Sequence, residues 1–104
     1  MVAKNYLKKK LKELDGVFQY WPVSMGMGAH GIPDCIGCYN GVFFAVEVKA
    51  PGRRGQKHRG CSALQVMQIK NIRMAGGIAA IVDGPEEVME LINELKNPTG
   101  RFGE

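Results

Sequence analysis

The chain has 104 residues, of which 45% are apolar and 23% are charged, and its formal net charge is +4. This length predicts one domain with one modest core, and the apolar fraction excludes a disordered chain. No apolar run approaches the roughly 20 residues of a membrane-spanning helix, and the N-terminal residues lack the apolar centre of a signal peptide. We therefore expect a cytoplasmic protein.

Periodicity and turn signals predict seven elements in the order α-β-β-β-α-β-α. Helices are expected over 3–15, 62–75 and 85–96, and strands over 17–23, 32–39, 42–50 and 78–82. Ser62 is a candidate N-cap, and Gly76 ends the helix that Ser62 begins. The strand, helix and strand between 42 and 82 predict a parallel crossover. The expected fold is a single α/β domain over 1–104, with a mixed sheet flanked by helices and a flexible tail at 98–104.

Asn40–Gly41, between two apolar runs, is the strongest turn signal in the chain. With these two residues at the centre of a hairpin turn, counting outward along both strands places Asp34 opposite Glu47. Side chains alternate between the two faces of a strand, so Lys49 points to the same side as Glu47. The register therefore predicts two carboxylates and one ammonium group on one face of the hairpin.

A solvent-facing strand with an ordinary Glu–Lys pair is the simple explanation of this charged group. Two features favour a functional site instead. The predicted face also carries Ile36, Phe43 and Ala45, and charges that project from an apolar face usually belong to a site. Two opposed carboxylates destabilise a sheet, whereas a hard cation between them reverses that effect, because Mg²⁺ prefers oxygen ligands. The pattern therefore predicts a cation site.

The three cysteines are expected to act as small apolar side chains, because an odd number argues against a disulfide framework. Cys35 and Cys38 are three residues apart in a predicted strand, so they point to opposite faces. A single CxxC pair is a weak signal for zinc, even with His58 and Cys61 in the same chain.

The order Pro33-Asp34, a short hairpin and Glu47-Val48-Lys49 resembles the PD-(D/E)XK nuclease superfamily. The flanking sequences look most like a VRR-NUC domain, in particular its small stand-alone, phage-type members. The residues that carry this resemblance are Gly31-Ile32-Pro33-Asp34, residues 41–50, Leu64-Gln65 and Ala75-Gly76-Gly77. The resemblance covers about residues 5–95 and implies a restriction-endonuclease-like core, in the cytoplasm of a bacterium or of a phage's host.

The resemblance implies an endonuclease that hydrolyses phosphodiester bonds of DNA with Mg²⁺ or Mn²⁺. Asp34 and Glu47 match the metal-binding carboxylates, and Val48 would add its backbone carbonyl. Lys49 matches the lysine that orients or helps to deprotonate the attacking water, and Gln65 matches the glutamine that supports the site. The implied substrate is branched DNA such as four-way (Holliday) junctions, and stand-alone members of the family act as homodimers.

A basic loop follows Lys49 directly and predicts contact with DNA. Its cations are Arg53, Arg54, Lys57, His58 and Arg59. A loop of this composition is often only a solvated segment, but its position beside the predicted site favours salt-sensitive contacts with phosphates. His30 is expected to contact DNA or to support Asp34, and a loop histidine without a role is an equal alternative.

One departure from the family pattern concerns the first helix. The family has a glutamate early in this helix, and here Lys4 and Asn5 occupy that place, which puts a second metal ion in doubt. Two alternatives to an active nuclease stay open. One is a DNA-binding module that has lost catalysis, and the other is a structural or assembly protein in which Glu47 and Lys49 form only a surface ion pair.

Overall fold

The structure, a computed structural model, describes residues 3–23, 31–52 and 55–100. Within them lie the helices α1 (Ala3–Lys12), α2 (Ala63–Met74) and α3 (Pro85–Lys96). The strands are β1 (Phe18–Tyr20), β2 (Cys35–Tyr39), β3 (Val42–Val48) and β4 (Ile78–Val82), and a short 3-10 helix spans Lys57–Gly60. The predicted order α-β-β-β-α-β-α is confirmed.

The strands form one mixed sheet in the order β1-β2-β3-β4. β2 is antiparallel to both β1 and β3, whereas β4 runs parallel to β3, as a crossover through α2 requires. Asn40 and Gly41 have φ angles of 54° and 82°, which are the left-handed values that a type I′ hairpin turn needs. Tyr39 consequently pairs with Val42, and the predicted hairpin register is confirmed.

The sheet separates two layers of helices. α1 and α3 pack on one face, and the fully buried side chains of this core include Leu7, Leu11, Phe44, Val46, Val82, Val88 and Leu91. α2 packs on the opposite face, against β3 and β4. Glu47 alternates with Val46 along β3, so it lies on the α2 side of the sheet.

β2 begins later than the sequence predicts. Pro33 has no N–H to donate to a strand ladder. At the next position, the Asp34 carboxylate accepts the N–H of Val48 at 2.8 Å. The pairing of β2 with β3 therefore ends at Cys35 and Val46, and Asp34 lies just beyond it.

Other boundaries also differ from the prediction. α1 ends at Lys12 rather than at 15, and β1 is three residues long and stops before Pro22. The start of the predicted tail is anchored, because the buried Glu94 carboxylate accepts hydrogen bonds from the N–H groups of Thr99 and Gly100 at 2.7 and 3.0 Å. The flexibility predicted for the rest of the tail concerns residues 101–104, which lie outside the described residues.

Candidate functional site

Glu47 is a buried carboxylate in the interior of the sheet. Its side chain is 3% exposed, and its Oε2 atom lies 3.2 Å from the Lys49 Nζ atom. The same Oε2 accepts a hydrogen bond from Gln65 Nε2 at 2.6 Å. Lys49 Nζ also donates to Gln65 Oε1 at 3.2 Å. Three of the predicted site residues therefore form one connected group.

The second carboxylate oxygen of Glu47 has a different environment. Its Oε1 atom is buried and has no hydrogen-bond partner among the described residues. Burial raises the pKa of Glu47, the charge of Asp34 raises it further, and the Lys49 ammonium opposes both effects. A buried acceptor without a donor is costly, and a cation is one of the groups that can satisfy it. Glu47 thus has one oxygen available for a metal ion.

Asp34 joins the group through the backbone of β3. The Asp34 residue is exposed, and its Oδ2 atom accepts the hydrogen bond from Val48. The N–H and C=O of one strand residue point to the same edge, so the Val48 carbonyl also faces the Asp34 side. The Lys49 N–H faces the other edge and donates to the Val82 carbonyl at 2.8 Å. The Val48 carbonyl and both carboxylates therefore lie where β2 separates from β3.

A capping box at the start of α2 sets the orientation of Gln65. The Gln65 N–H donates to Ser62 Oγ at 3.1 Å, and the Ser62 N–H donates to Gln65 Oε1 at 2.8 Å. These bonds fix the oxygen of the side-chain amide, which leaves Nε2 directed at Glu47. One side chain therefore both stabilises the first turn of α2 and holds the buried acid.

Gly31 brings the segment that carries Asp34 close to α2. It is buried with a φ of 77°, and a Cβ atom at this position would lie 2.5 Å from the Leu64 carbonyl oxygen and 3.0 Å from the Gln65 nitrogen. Only glycine fits such an approach. The S-x-x-Q spacing could have predicted the shared role of Ser62 and Gln65, but no local signal predicts the contact of Gly31 with α2.

The donor set fits a hard divalent cation with few protein ligands. In the part of the chain that the structure describes, no group of three or more His, Cys, Asp or Glu side chains could hold a metal ion. The oxygen atoms that a cation could use here are those of Asp34, Glu47 and the Val48 carbonyl. Mg²⁺ commonly keeps several waters and uses one or two carboxylates together with substrate phosphates. The unpartnered Oε1 of Glu47 agrees with such a site.

The basic loop contains residues with different roles. Lys57 and His58 are exposed, so a phosphate backbone could reach them. Arg59 is engaged within the protein, because its Nη2 atom donates to both carboxylate oxygens of Glu87, at 2.7 and 2.6 Å. Its Nη1 atom donates to the Ile81 carbonyl at 3.3 Å. Arg59 therefore connects the loop to α3, which the sequence did not indicate.

Three other residues predicted to bind DNA, Arg53, Arg54 and His30, lie outside the described residues. The position of the family's helix glutamate is described, and α1 has no acidic residue in its first turn. Lys4 Nζ lies 5.6 Å from the centroid of the Trp21 ring, a cation–π distance. Lys4 therefore packs with Trp21.

No model of a known protein family matches the chain, and no curated protein matches it. The similarity to the VRR-NUC domain thus stays a hypothesis that depends on short motifs and on the geometry above. None of the helices in the described ranges is both long enough and apolar enough to cross a bilayer.

Proposed function

We propose that this protein is a divalent-metal-dependent DNA endonuclease with a PD-(D/E)XK core. The observation that carries the proposal is the buried, unpartnered Oε1 atom of Glu47 in a group that includes Asp34 and Lys49. A surface ion pair does not account for this group, because the side chains of Glu47 and Lys49 are only 3% and 16% exposed. Two neighbouring acids cost stability unless a cation joins them.

Each residue of the group has a distinct part in the proposed reaction. Asp34, Glu47 and the Val48 carbonyl would hold Mg²⁺ or Mn²⁺, an ion that acidifies water and neutralises phosphate charge when bound. Lys49 places a positive charge beside Glu47, where it can orient a water molecule or stabilise charge that develops on the phosphate oxygens. Gln65 fixes the positions of Glu47 and Lys49 through its two hydrogen bonds.

DNA as the substrate is supported by the position of the basic loop. Lys57 and His58 are exposed in the segment that follows Lys49, and phosphate contacts of this type contribute most of the affinity for DNA. A branched substrate, such as a four-way junction, rests on the resemblance to VRR-NUC domains. A cytoplasmic location and a homodimeric state belong to the same proposal.

A second candidate function is DNA binding without catalysis. One observation favours it, because α1 has no acidic residue in its first turn, where the resembling family carries a glutamate. In this case the protein would bind DNA with the same salt dependence but would not cut it. Cleavage assays distinguish the two functions.

The proposed function is tested by incubating labelled duplex, flap and four-way-junction DNA with Mg²⁺, with Mn²⁺ or with EDTA. Asp34→Asn retains an oxygen that can accept the Val48 N–H but loses the charge, so we expect a folded protein that binds DNA and does not cut it. Asp15→Asn, at an exposed position outside the group, should cut like the wild type. Full activity of Asp34→Asn would refute the site. If the wild type binds these DNA molecules but cuts none of them, the binding module is the correct function.

A further inference from the structure

Three aromatic side chains are exposed on the side of the sheet that carries Glu47. Phe18, Tyr20 and Phe43 are 61%, 52% and 42% exposed. Phe18 pairs with Cys38, and Cys38 pairs with Phe43, so these residues form one row across β1, β2 and β3. Opposed residues share a face of the sheet, and Phe43 shares its face with Glu47. We call Phe18, Tyr20 and Phe43 the aromatic face.

The spacing within the aromatic face matches a short run of bases. Strands lie about 4.8 Å apart and residues on one face repeat about every 7 Å along a strand, so Phe18 is about 7 Å from Tyr20 and about 10 Å from Phe43. Glu47 lies four positions after Phe43 on β3, a distance of about 13 Å. That distance corresponds to at most about four nucleotides at 3.4 Å for each.

The sequence around the aromatic face has an excess of positive charge. Between residues 17 and 82 the only acids are Asp34 and Glu47, the two candidate metal ligands. The cations of the same span are Lys49, Arg53, Arg54, Lys57, Arg59, Lys70 and Arg73. Lys49, Arg59 and Arg73 donate hydrogen bonds within the protein, whereas Lys57 and Lys70 are exposed and add to the positive potential. Nucleic acid is attracted to such a surface, whereas the same positive surface of a second copy of the chain would be repelled.

We infer that the aromatic face stacks the unpaired bases of a DNA strand next to the phosphate that is cut. This inference rests on the proposed nuclease function and specifies its substrate as DNA in which the bases next to the cleavage point are unpaired, as in a flap or at an opened branch point. Aromatic rings exposed on a sheet bind single strands in a sequence-tolerant way, because every base has a flat π surface. Phosphates of the same strand would extend toward Lys49 and the basic loop.

The inference is tested first by the affinity for a fluorescent oligothymidylate, measured by anisotropy in EDTA so that no cleavage is needed. Phe18→Leu, Tyr20→Leu and Phe43→Leu keep an apolar side chain but remove the ring, and each should weaken binding by about fivefold or more. Tyr20→Phe keeps the ring and should bind like the wild type. Met74→Leu changes a non-aromatic side chain that is 81% exposed at the end of α2, and it should also have no effect.

Cys38 provides a second test that needs no variant. It lies between Phe18 and Phe43 in the row of the sheet, and its side chain is partly exposed. Cys35 and Cys61 are buried, and burial raises the pKa of Cys35 to about 12 and also raises that of Cys61. Iodoacetamide should therefore modify Cys38 first, and oligothymidylate should slow this reaction when mass spectrometry follows it.

Two results would overturn the inference. One is unchanged oligothymidylate binding in all three leucine variants. The other is slower Cys38 alkylation at higher protein concentration without DNA, which would place a second copy of the chain on this face. If the protein gives either of these results but still cuts DNA in a metal-dependent way, the role of the aromatic face in DNA binding is refuted. The proposed nuclease function is then unaffected. Single-strand binding without any cleavage would refute the proposed nuclease and leave the aromatic face in place.

Discussion

At the scale of single residues, Glu47 is an acid whose burial and whose neighbour Asp34 both favour the neutral form. Glu47→Gln keeps the shape of the side chain and removes the charge. Without metal, we expect a Tm at pH 7 at least as high as that of the wild type, because no charge has to be buried. In the wild type, Mg²⁺ at a hundred times its Kd should add about 2.7 kcal/mol to the free energy of unfolding. The variant should lose this increase.

Thermal melts in EDTA and in Mg²⁺ check this prediction. Glu86→Gln is a suitable control, because Glu86 is exposed in the first turn of α3 and should not affect the response to Mg²⁺. An undiminished Mg²⁺ shift in Glu47→Gln would contradict the assignment of Glu47 as a ligand.

Lys49 has a separable role, because its ammonium group contacts Glu47 and Gln65 rather than Asp34. Lys49→Met keeps most of the side-chain length and removes the charge. The cleavage rate at saturating metal should fall roughly a hundredfold or more, which is typical when a group that stabilises a developing oxyanion is removed. The Mg²⁺ concentration that gives half-maximal activity should change much less. A variant that needs more Mg²⁺ but then reaches the wild-type rate would assign Lys49 to metal binding.

At the scale of elements, Gly31 controls the distance between the segment that carries Asp34 and the start of α2. In Gly31→Ala the new Cβ would meet the Leu64 carbonyl, so the first turn of α2 has to move together with Gln65. We expect a loss of stability of about 1–3 kcal/mol and a loss of cleavage. Chemical denaturation and cleavage assays check both effects.

Gly41→Ala is the matched control for Gly31. Its φ of 82° is similar, but an added Cβ would meet nothing within 4 Å. The Gly41→Ala variant should therefore lose about 1–2 kcal/mol of stability, because its alanine adopts a left-handed backbone conformation. It should not displace α2. Equal cleavage by both variants, at equal folded fractions, would show that the approach of Gly31 to α2 does not position the site.

The residues of the basic loop should differ in how much they contribute to the salt dependence of DNA binding. Replacing Lys57 and Arg53 with Gln should reduce the slope of log affinity against log salt by roughly 2 units, at about one unit for each phosphate contact. Arg59→Gln should leave this slope unchanged and lower the stability instead, because it breaks the hydrogen bonds to Glu87 and Ile81. Binding titrations at several salt concentrations check the slopes. A flatter slope for Arg59→Gln would support the DNA contact predicted for Arg59.

Sequence reasoning succeeded where the structural cause is local. The turn chemistry of Asn40–Gly41 determined the register of β2 and β3, and Ser62 correctly marked the start of α2. It failed where the cause is a partner distant in the sequence. The bidentate pair of Arg59 with Glu87 joins a loop to the first turn of α3 across a whole strand–helix unit. No spacing rule connects two such residues, so the sequence did not indicate this pair, and the DNA contact predicted for Arg59 stays a prediction that the salt slopes test.

The candidate site was also predicted from the sequence only in part. The hairpin register predicted that Asp34 and Glu47 lie close together, but it could not predict that Glu47 is buried with one free oxygen. That property depends on α2, which covers this part of the sheet and provides Gln65. The motif indicates which residues take part, and the packing of α2 determines their electrostatic environment.

At the scale of the whole molecule, the charges are unevenly distributed along the chain. Most acids lie before residue 17 or after residue 82, including the four glutamates of α3 and the buried Asp83. Residues 17–82 include the four strands, α2 and the basic loop. The only acids in this part of the sequence, Asp34 and Glu47, belong to the candidate site. An arrangement of this kind attracts a polyanion to the part of the molecule that carries the candidate site.

The same charge distribution bears on the predicted homodimer. Resolving a four-way junction takes two incisions on symmetric strands, and one chain supplies one candidate site, so a two-fold dimer is expected. Light scattering at micromolar concentration should give twice the mass of the chain. Because we propose that the aromatic face binds DNA, the dimer should persist when Phe18 or Phe43 is changed to Leu. A strict monomer would favour a nuclease that acts on flaps or single strands. The aromatic face also fits such a substrate, and Asp34, Glu47 and Lys49 would keep the same roles.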